Sequence, residues 1–127
     1  MSPTPRPAVL HDVQSAPWEE LTPKLSRKLV TGERTMIALL RLGEGAFVPR
    51  HAHPNEQISY VMSGRLRFVV GDDEEEIVVG PGQAVVLPSE LPHSAEAIED
   101  TVGIDVFVPP RQDWLDGDDA YLRQGAE

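Results

Sequence analysis

GAFVPRHAHPNEQISYVMSG, residues 45–64, is the stretch whose reading decides the fold. Ala46 to Pro49 reads as a short strand. His51 and His53 follow two apart, so in extended chain both imidazoles face the same side of a sheet. Pro54, Asn55 and Glu56 bend the chain. Gln57 then opens a second strand-like run, to Met62, from which its amide oxygen can reach the same point as the two imidazoles. Ser63-Gly64 ends the run, with glycine free to supply the positive φ of a tight turn. A single histidine on a loop is usually solvated or hydrogen-bonded. A pair at strand spacing followed by an amide suits chelation, and a third histidine, His93, stands directly after Leu91-Pro92 at the start of another strand-like run.

Outward from this stretch, prolines and glycines punctuate the chain, twelve and ten of them, with alternating or apolar runs of strand length between. The spacing predicts strands near Thr35–Leu42, Ala46–Pro49, Gln57–Met62, Arg65–Val70, Glu75–Val79, Ala84–Leu87, His93–Ile98 and Thr101–Val108. Arg65 to Val70 alternates strictly, with Leu66, Phe68 and Val70 on one face and Arg65 and Arg67 on a solvated one. Ser63-Gly64 is read as a hairpin turn joining this run to Gln57–Met62. Further turns are expected at Gly71-Asp72-Asp73 and at Gly80-Pro81-Gly82. Tyr60, Met62 and Phe68 are read as core or pocket wall. Trp18 to Lys28 is expected to be a short helix or irregular, because Pro17 and Pro23 interrupt any periodic pattern. Domain organisation follows: residues 1–34 as a lead-in packing on the barrel, 35–110 as one barrel carrying the site, and 111–127 as a polar tail whose final residues, to Glu127, are loosely packed.

The 127 residues suffice for one domain with one core. Cysteine is absent, which excludes disulfides, thiolate ligands and a cysteine nucleophile and leaves histidine and oxygen donors for any metal. A formal charge of −10, with acidic runs at 72–76 and 113–119, repels polyanions, so nucleic acid is not an expected partner. The same field disfavours a small acidic substrate unless a metal and a local arginine reverse the potential at the pocket. The N-terminus has no apolar signal-like core, and no run approaches the roughly 20 apolar residues that span a bilayer. A cytoplasmic protein without membrane contact is the expectation.

With these residues in place, the chain resembles the cupin superfamily. Its first motif is glycine, five residues, His-x-His, three or four residues, an acidic or amide ligand, six residues and glycine. Gly45, His51, His53, Gln57 and Gly64 meet that spacing. Gly82, Pro88 and His93 meet the second motif, although its Pro-x-Gly is here Pro88-Ser89-Glu90. The resemblance implies an all-β, jelly-roll-like barrel, or double-stranded β-helix, that holds one divalent metal ion. The ligands would be His51, His53, Gln57 and His93, with Glu56 a rival to Gln57. Nitrogen and oxygen donors suit nickel, zinc, manganese, iron or cobalt. With Gln57 in place of the usual carboxylate all four ligands are neutral, which makes the ion a harder Lewis acid and weakens its binding. A homodimer is also what the resemblance implies.

Thr101 to Val108 should place Ile104, Val106 and Val108 on one face and Asp105 and Phe107 on the other. Asp105 reads either as a strand-end carboxylate paired with an arginine or facing water, or as a proton carrier near the metal, with Phe107 as pocket wall and Arg111 at the rim. Pro17-Trp18-Glu19, the His-x-His-x-x-x-Gln form and the run from Asp105 to Leu115 resemble the pectin-degradation cupins, which linearise 4,5-unsaturated uronates. That resemblance implies activity for Asp105, Phe107 and Arg111, with a small carboxylated molecule as the partner. A dioxygenase on a small organic substrate and a metabolite-binding cupin without turnover are the competing readings. Ser59, Ser63, Ser89 and Ser94 show no base that would make one a nucleophile.

Overall fold

The computed structural model describes residues 4–124; the ends of the lead-in and of the tail, 1–3 and 125–127, lie outside the described residues. Ten strands run in chain order: β1 (Glu19–Thr22), β2 (Leu25–Thr31), β3 (Met36–Leu42), β4 (Phe47–His51), β5 (Glu56–Ser63), β6 (Leu66–Val70), β7 (Glu75–Val79), β8 (Ala84–Leu87), β9 (His93–Ala97) and β10 (Thr101–Val108). Two short helices follow, α1 (Gln112–Leu115) and α2 (Ala120–Gln124). No helix among the described residues is long and apolar enough to cross a membrane.

The strands form two antiparallel sheets, one of order β1-β2-β3-β10-β5-β8 and one of order β4-β9-β6-β7. Alternation places Met36 and Ala38 of β3, Val61 of β5, Leu66 and Phe68 of β6 and Phe107 of β10 between the sheets, all nearly inaccessible to solvent.

Four features depart from the expectations. Ser63-Gly64 is not a hairpin turn: β5 pairs with β10 and β8, whereas β6 pairs with β7 and β9, so the turn carries the chain from one sheet to the other. Gly64 is at φ +89°, and a Cβ there would come within 2.3 Å of the Asp100 carbonyl oxygen, so the crossing is too tight for any side chain. Trp18 to Lys28 is neither helical nor irregular beyond Glu19, because it supplies β1 and most of β2 to the larger sheet. The charges of β2 hid the strand: Arg27 and Lys28 are buried, Arg27 on acidic partners and Lys28 on the carbonyls of Val13 and Gln14.

Tyr60 and Met62 are not core; they are 43% and 50% exposed on the outer face of β5, while Phe68 is buried as expected. The burial of β5 is inverted relative to an ordinary half-buried strand, with Gln57, Ser59 and Val61 inside and Ile58, Tyr60 and Met62 outside. Finally, the polar tail contributes to the core over its described part, since Arg111, Trp114, Asp119 and Leu122 are all buried, while its last residues, 125–127, lie outside the described residues.

Candidate metal centre

β4 and β9 lie side by side in the smaller sheet with His51 registered opposite His93, and their ring centroids are 4.4 Å apart. His53, two residues beyond the end of β4, lies 5.5 Å from His51 and 5.0 Å from His93 by the same measure. One ligating nitrogen from each of the three falls within 4.8 Å of the others. Their Nδ1 atoms are all engaged with backbone carbonyls: His51 with Pro49 at 2.8 Å, His53 with Asn55 at 3.1 Å and His93 with Leu91 at 2.9 Å. A carbonyl only accepts, so each Nδ1 carries the proton and each Nε2 presents a lone pair, which is how protein frames prepare imidazoles for a metal. Burial pushes His51 and His53 down to about 4 and also lowers His93, and the nearby Arg111 guanidinium lowers all three further. The group is therefore neutral and ready to ligate at neutral pH.

Gln57 supplies a test of whether a cation fits. Its Nε2 donates to Ser59 Oγ at 2.9 Å and to Asp105 Oδ2 at 3.4 Å, which fixes the amide with Oε1 towards the histidines. Oε1 then lies 3.0 Å from the Nε2 of His53, an atom whose lone pair is free because Nδ1 holds the proton. Two acceptors facing each other are held together by a positive charge, and a divalent ion among His51, His53, His93 and Gln57 would supply it. Glu56 is exposed and on the opposite face of β5 from Gln57, as alternation requires.

Asp105 lies mid-strand in β10, registered between Ala38 and Ser59, and faces inward. Burial raises its carboxyl to about 6, against the opposing pull of the Ser59 hydroxyl and the Arg111 charge. It is thus neither at a strand end nor in an ion pair with an arginine among the described residues. Phe107, 1% exposed, stands edge-on to His53 at 6.0 Å and to Trp114 at 5.1 Å.

Arg111 is not at a rim but buried, 1% exposed, its guanidinium 5.0 Å from the Phe107 ring and 4.6 Å from the Trp114 ring. Nε and Nη2 donate to the two oxygens of Asp113 at 3.0 and 2.8 Å, and Nη2 also donates to the Tyr121 hydroxyl. Nη1 has no such partner among the described residues. Asn55 donates to the carbonyls of Pro109 and Pro110, tying the loop after His53 to the backbone that leads into Arg111.

These groups surround one cavity of about 60 Å³ inside the barrel, with His51, His93, Gln57, Asp105, Phe107 and Arg111 around its polar end. The remaining wall is apolar, including Leu40, Val48, Phe68 and Trp114. The structure thus brings together all seven residues singled out from the sequence. Ser59, Asp113, Trp114 and Tyr121 were missed. For Ser59 the signal was present, since two residues after Gln57 on a strand is the same face. The others sit in a segment whose aspartates made it look solvated.

A family model described as a cupin domain matches residues 38–108. The chain belongs to the cupin family. Among solved structures, this cupin is 30% identical to KdgF from Halomonas sp., with a TM-score of 0.73, the match covering 80% of this chain and 94% of that one. It is 26% identical to an RmlC-like cupin from Shewanella frigidimarina, again with a TM-score of 0.73, over 80% of this chain and 90% of the other. Oxalate decarboxylase from Bacillus subtilis, a protein with Mn(II) centres, matches at 23% identity and a TM-score of 0.67 over 76% of this chain and 28% of its own, which is a likeness of fold. No curated protein matches the sequence significantly.

Proposed function

We propose that this cupin is a metal-dependent enzyme acting on a small carboxylated sugar, opening and ketonising a 4,5-unsaturated uronate of the kind released from pectin or alginate. The observation that carries this reading is Arg111. A buried guanidinium with one edge fixed on Asp113, lining a cavity together with Asp105 and the neutral imidazoles of His51 and His93, makes a local cationic site in a chain of formal charge −10. Such a site selects an anion, and Nη1, the nitrogen not engaged by Asp113 or Tyr121, is the donor left for a carboxylate. The resemblance of Asp105, Phe107 and Arg111 to the residues associated with activity in the pectin-degradation cupins, and the 30% identity to KdgF, support the same substrate class.

His51, His53, His93 and Gln57 would hold the ion, and a divalent ion bound there supplies Lewis acidity towards a substrate oxygen. Arg111 binds the substrate carboxylate, and Phe107 forms the wall that positions the ring. Asp105, with its carboxyl near 6, exists in both protonation states close to neutral pH and suits proton transfer. The overall change is an isomerisation: the anomeric hydroxyl loses its proton, the ring carbon–oxygen bond breaks, an aldehyde and a ketone result, and C4 gains a proton. Asp105 takes and returns that proton, so no external acid or oxidant is required. The test is to follow loss of conjugated absorbance when metal-loaded protein meets unsaturated galacturonate, with Asp105→Ala beside it. No acceleration over buffer sinks the substrate assignment.

The apolar remainder of the cavity wall favours a second reading, in which the substrate is a carboxylate with an apolar body and the chemistry is that of a dioxygenase. Oxygen consumption by the iron-loaded chain would support it. Pairing of two copies is also part of the proposal. Ile37, Val106, Ile58 and Val86 stand in register across four strands on the outer face of the larger sheet, and Ile37, Ile58 and Val86 are 43%, 38% and 55% exposed.

A further inference from the structure

The segment after Pro110 forms part of the pocket wall. Trp114 of α1 and Leu122 of α2 line the cavity and are buried, α2 rests on β4 and β1, and the Tyr121 ring lies 4.9 Å from that of His51. The water-accessible space of about 60 Å³ is smaller than the roughly 150 Å³ that admits benzene in an engineered cavity, so a sugar ring needs the site to widen. Much of the surrounding wall is hydrogen-bonded strand. α1 and α2 have four and five residues, too short to persist without the contacts they make, so residues 112–124 are the wall that can move.

A buried ion pair fastens this segment to the barrel, with a longer, exposed contact between Arg123 and Glu19 at 3.9 Å beside it. Asp119 accepts from Arg27 Nη2 of β2 at 2.5 Å, with both side chains 3% exposed. Arg27 is also held by Glu19 of β1 at 2.8 Å, and Asp119 by Arg123 at 2.7 Å. The Trp114 ring completes the join, with the guanidinium of Arg27 at 4.7 Å and that of Arg111 at 4.6 Å. The groups that orient Arg111, namely Asp113, Trp114 and Tyr121, all belong to the same segment. Lifting it therefore opens the cavity and releases the guanidinium in one movement.

We propose that residues 112–124 are a gate over the metal pocket, latched by the Arg27–Asp119 pair, and that shutting the gate is what sets Arg111 for an anion. The anion's identity as a carboxylate rests on the function proposed above; the gate and latch do not. Asp113 and Tyr121 are positioning residues, acting through Arg111.

Hydrogen exchange on the full chain tests the gate without any activity. In Asp119→Asn the amides of 112–124 should exchange at least tenfold faster while those of β3, β5 and β10 keep their parent rates. In a Trp18→Phe background the same change should shift Trp114 emission to the red. Leu122→Ala, which removes the apolar plug but leaves the ion pair, should give the same localised pattern more weakly. Unchanged exchange of the segment in both variants, or loosening of the strands to the same degree, overturns the gate. Tyr121→Phe separates positioning from closure: segment exchange should stay at the parent rate while binding of galacturonate, read by calorimetry, weakens about fivefold. Full affinity in Tyr121→Phe overturns the positioning role. Failure of galacturonate to bind the parent overturns the carboxylate reading and leaves the exchange result to decide the gate.

Discussion

Oε1 of Gln57 faces Nε2 of His53 across 3.0 Å, and hydrogen bonds on the far side of each group leave lone pairs directed at one another. A cation relieves that opposition, and a negative charge in place of the amide strengthens the relief. In Gln57→Glu the new carboxylate lies beside Asp105, so without metal the two repel and the fold is weakened. With a divalent ion bound, the added charge is neutralised. We expect at least tenfold tighter binding, about 1.4 kcal/mol, in competition with a chelating dye, together with a lower melting temperature of the metal-free chain. Gln57→Leu should bind at least tenfold more weakly, and parent-like affinity in that variant would remove Gln57 from the ligand set.

Asp105 and the histidines oppose each other in acid. The fold lowers His51 and His53 from 6.5 to about 4, so the stability tied to their neutral forms is present above 6.5 and lost as pH falls through 4. Asp105 is raised from 3.8 to about 6, so its contribution is fully present below 3.8 and lost as pH rises through 6. Asp105→Asn removes only the second term. In urea titrations of the metal-free chain it should be more stable than the parent at pH 7.5, by up to about 3 kcal/mol, with the gap narrowing as pH approaches 4. Turnover of the uronate should fall on the order of a hundredfold or more in the same variant. A gap that does not narrow would mean that the buried charge is not the destabilising element.

Arg111 depresses the three histidines while presenting an anion site, so its removal has opposite effects on the two ligands. Arg111→Met keeps much of the side-chain volume packed against Phe107 and Trp114 but lifts the charge. The imidazoles then protonate more readily in the metal-free chain, and a divalent ion meets less repulsion at neutral pH. Metal affinity at pH 7.5 should rise several-fold in dye competition, whereas KM for the uronate should rise at least tenfold with a smaller change in kcat. Weaker metal binding would show that Arg111 supports the histidines structurally rather than through its field.

The sequence was most legible where punctuation was local. Glu75–Val79, Ala84–Leu87 and Thr101–Val108 are strands at the bounds expected from the glycines, prolines and acidic turns that flank them. His51, His53, Gln57 and His93 could be grouped because a motif spacing already encodes strand geometry, whereas Asp105, Phe107 and Arg111 joined them through family resemblance. What was hidden depended on partners far away in the chain. Arg27 looks like surface charge until Asp119, 92 residues on, is brought to it. Ser63-Gly64 announces a reversal but carries no sign of whether the next strand joins the same sheet or the opposite one. The tail's part in the core was hidden because Trp114, Tyr121 and Leu122 are spaced among aspartates, two of which are ion-paired with arginines rather than solvated.

β5 left a different kind of signal, since its apolar residues point outward and its polar ones inward. The inner set serves the site, and the outer set requires its own explanation. Tyr60, registered opposite Ile104 and Ala84, extends the stripe that contains Ile58 and Val86. Covering such a stripe with a second copy of itself removes apolar area from water at about 25 cal/mol per Å². A single charge at its middle should abolish pairing without touching the cavity. Ile58→Glu is expected to run at the mass of one chain in size-exclusion chromatography with light scattering, while the parent runs at twice that mass at tens of micromolar. The variant should keep the parent's metal affinity, because Ile58 faces away from Gln57 and Ser59. A parent chain that is monomeric under those conditions would leave the stripe without this partner and end the dimer proposal.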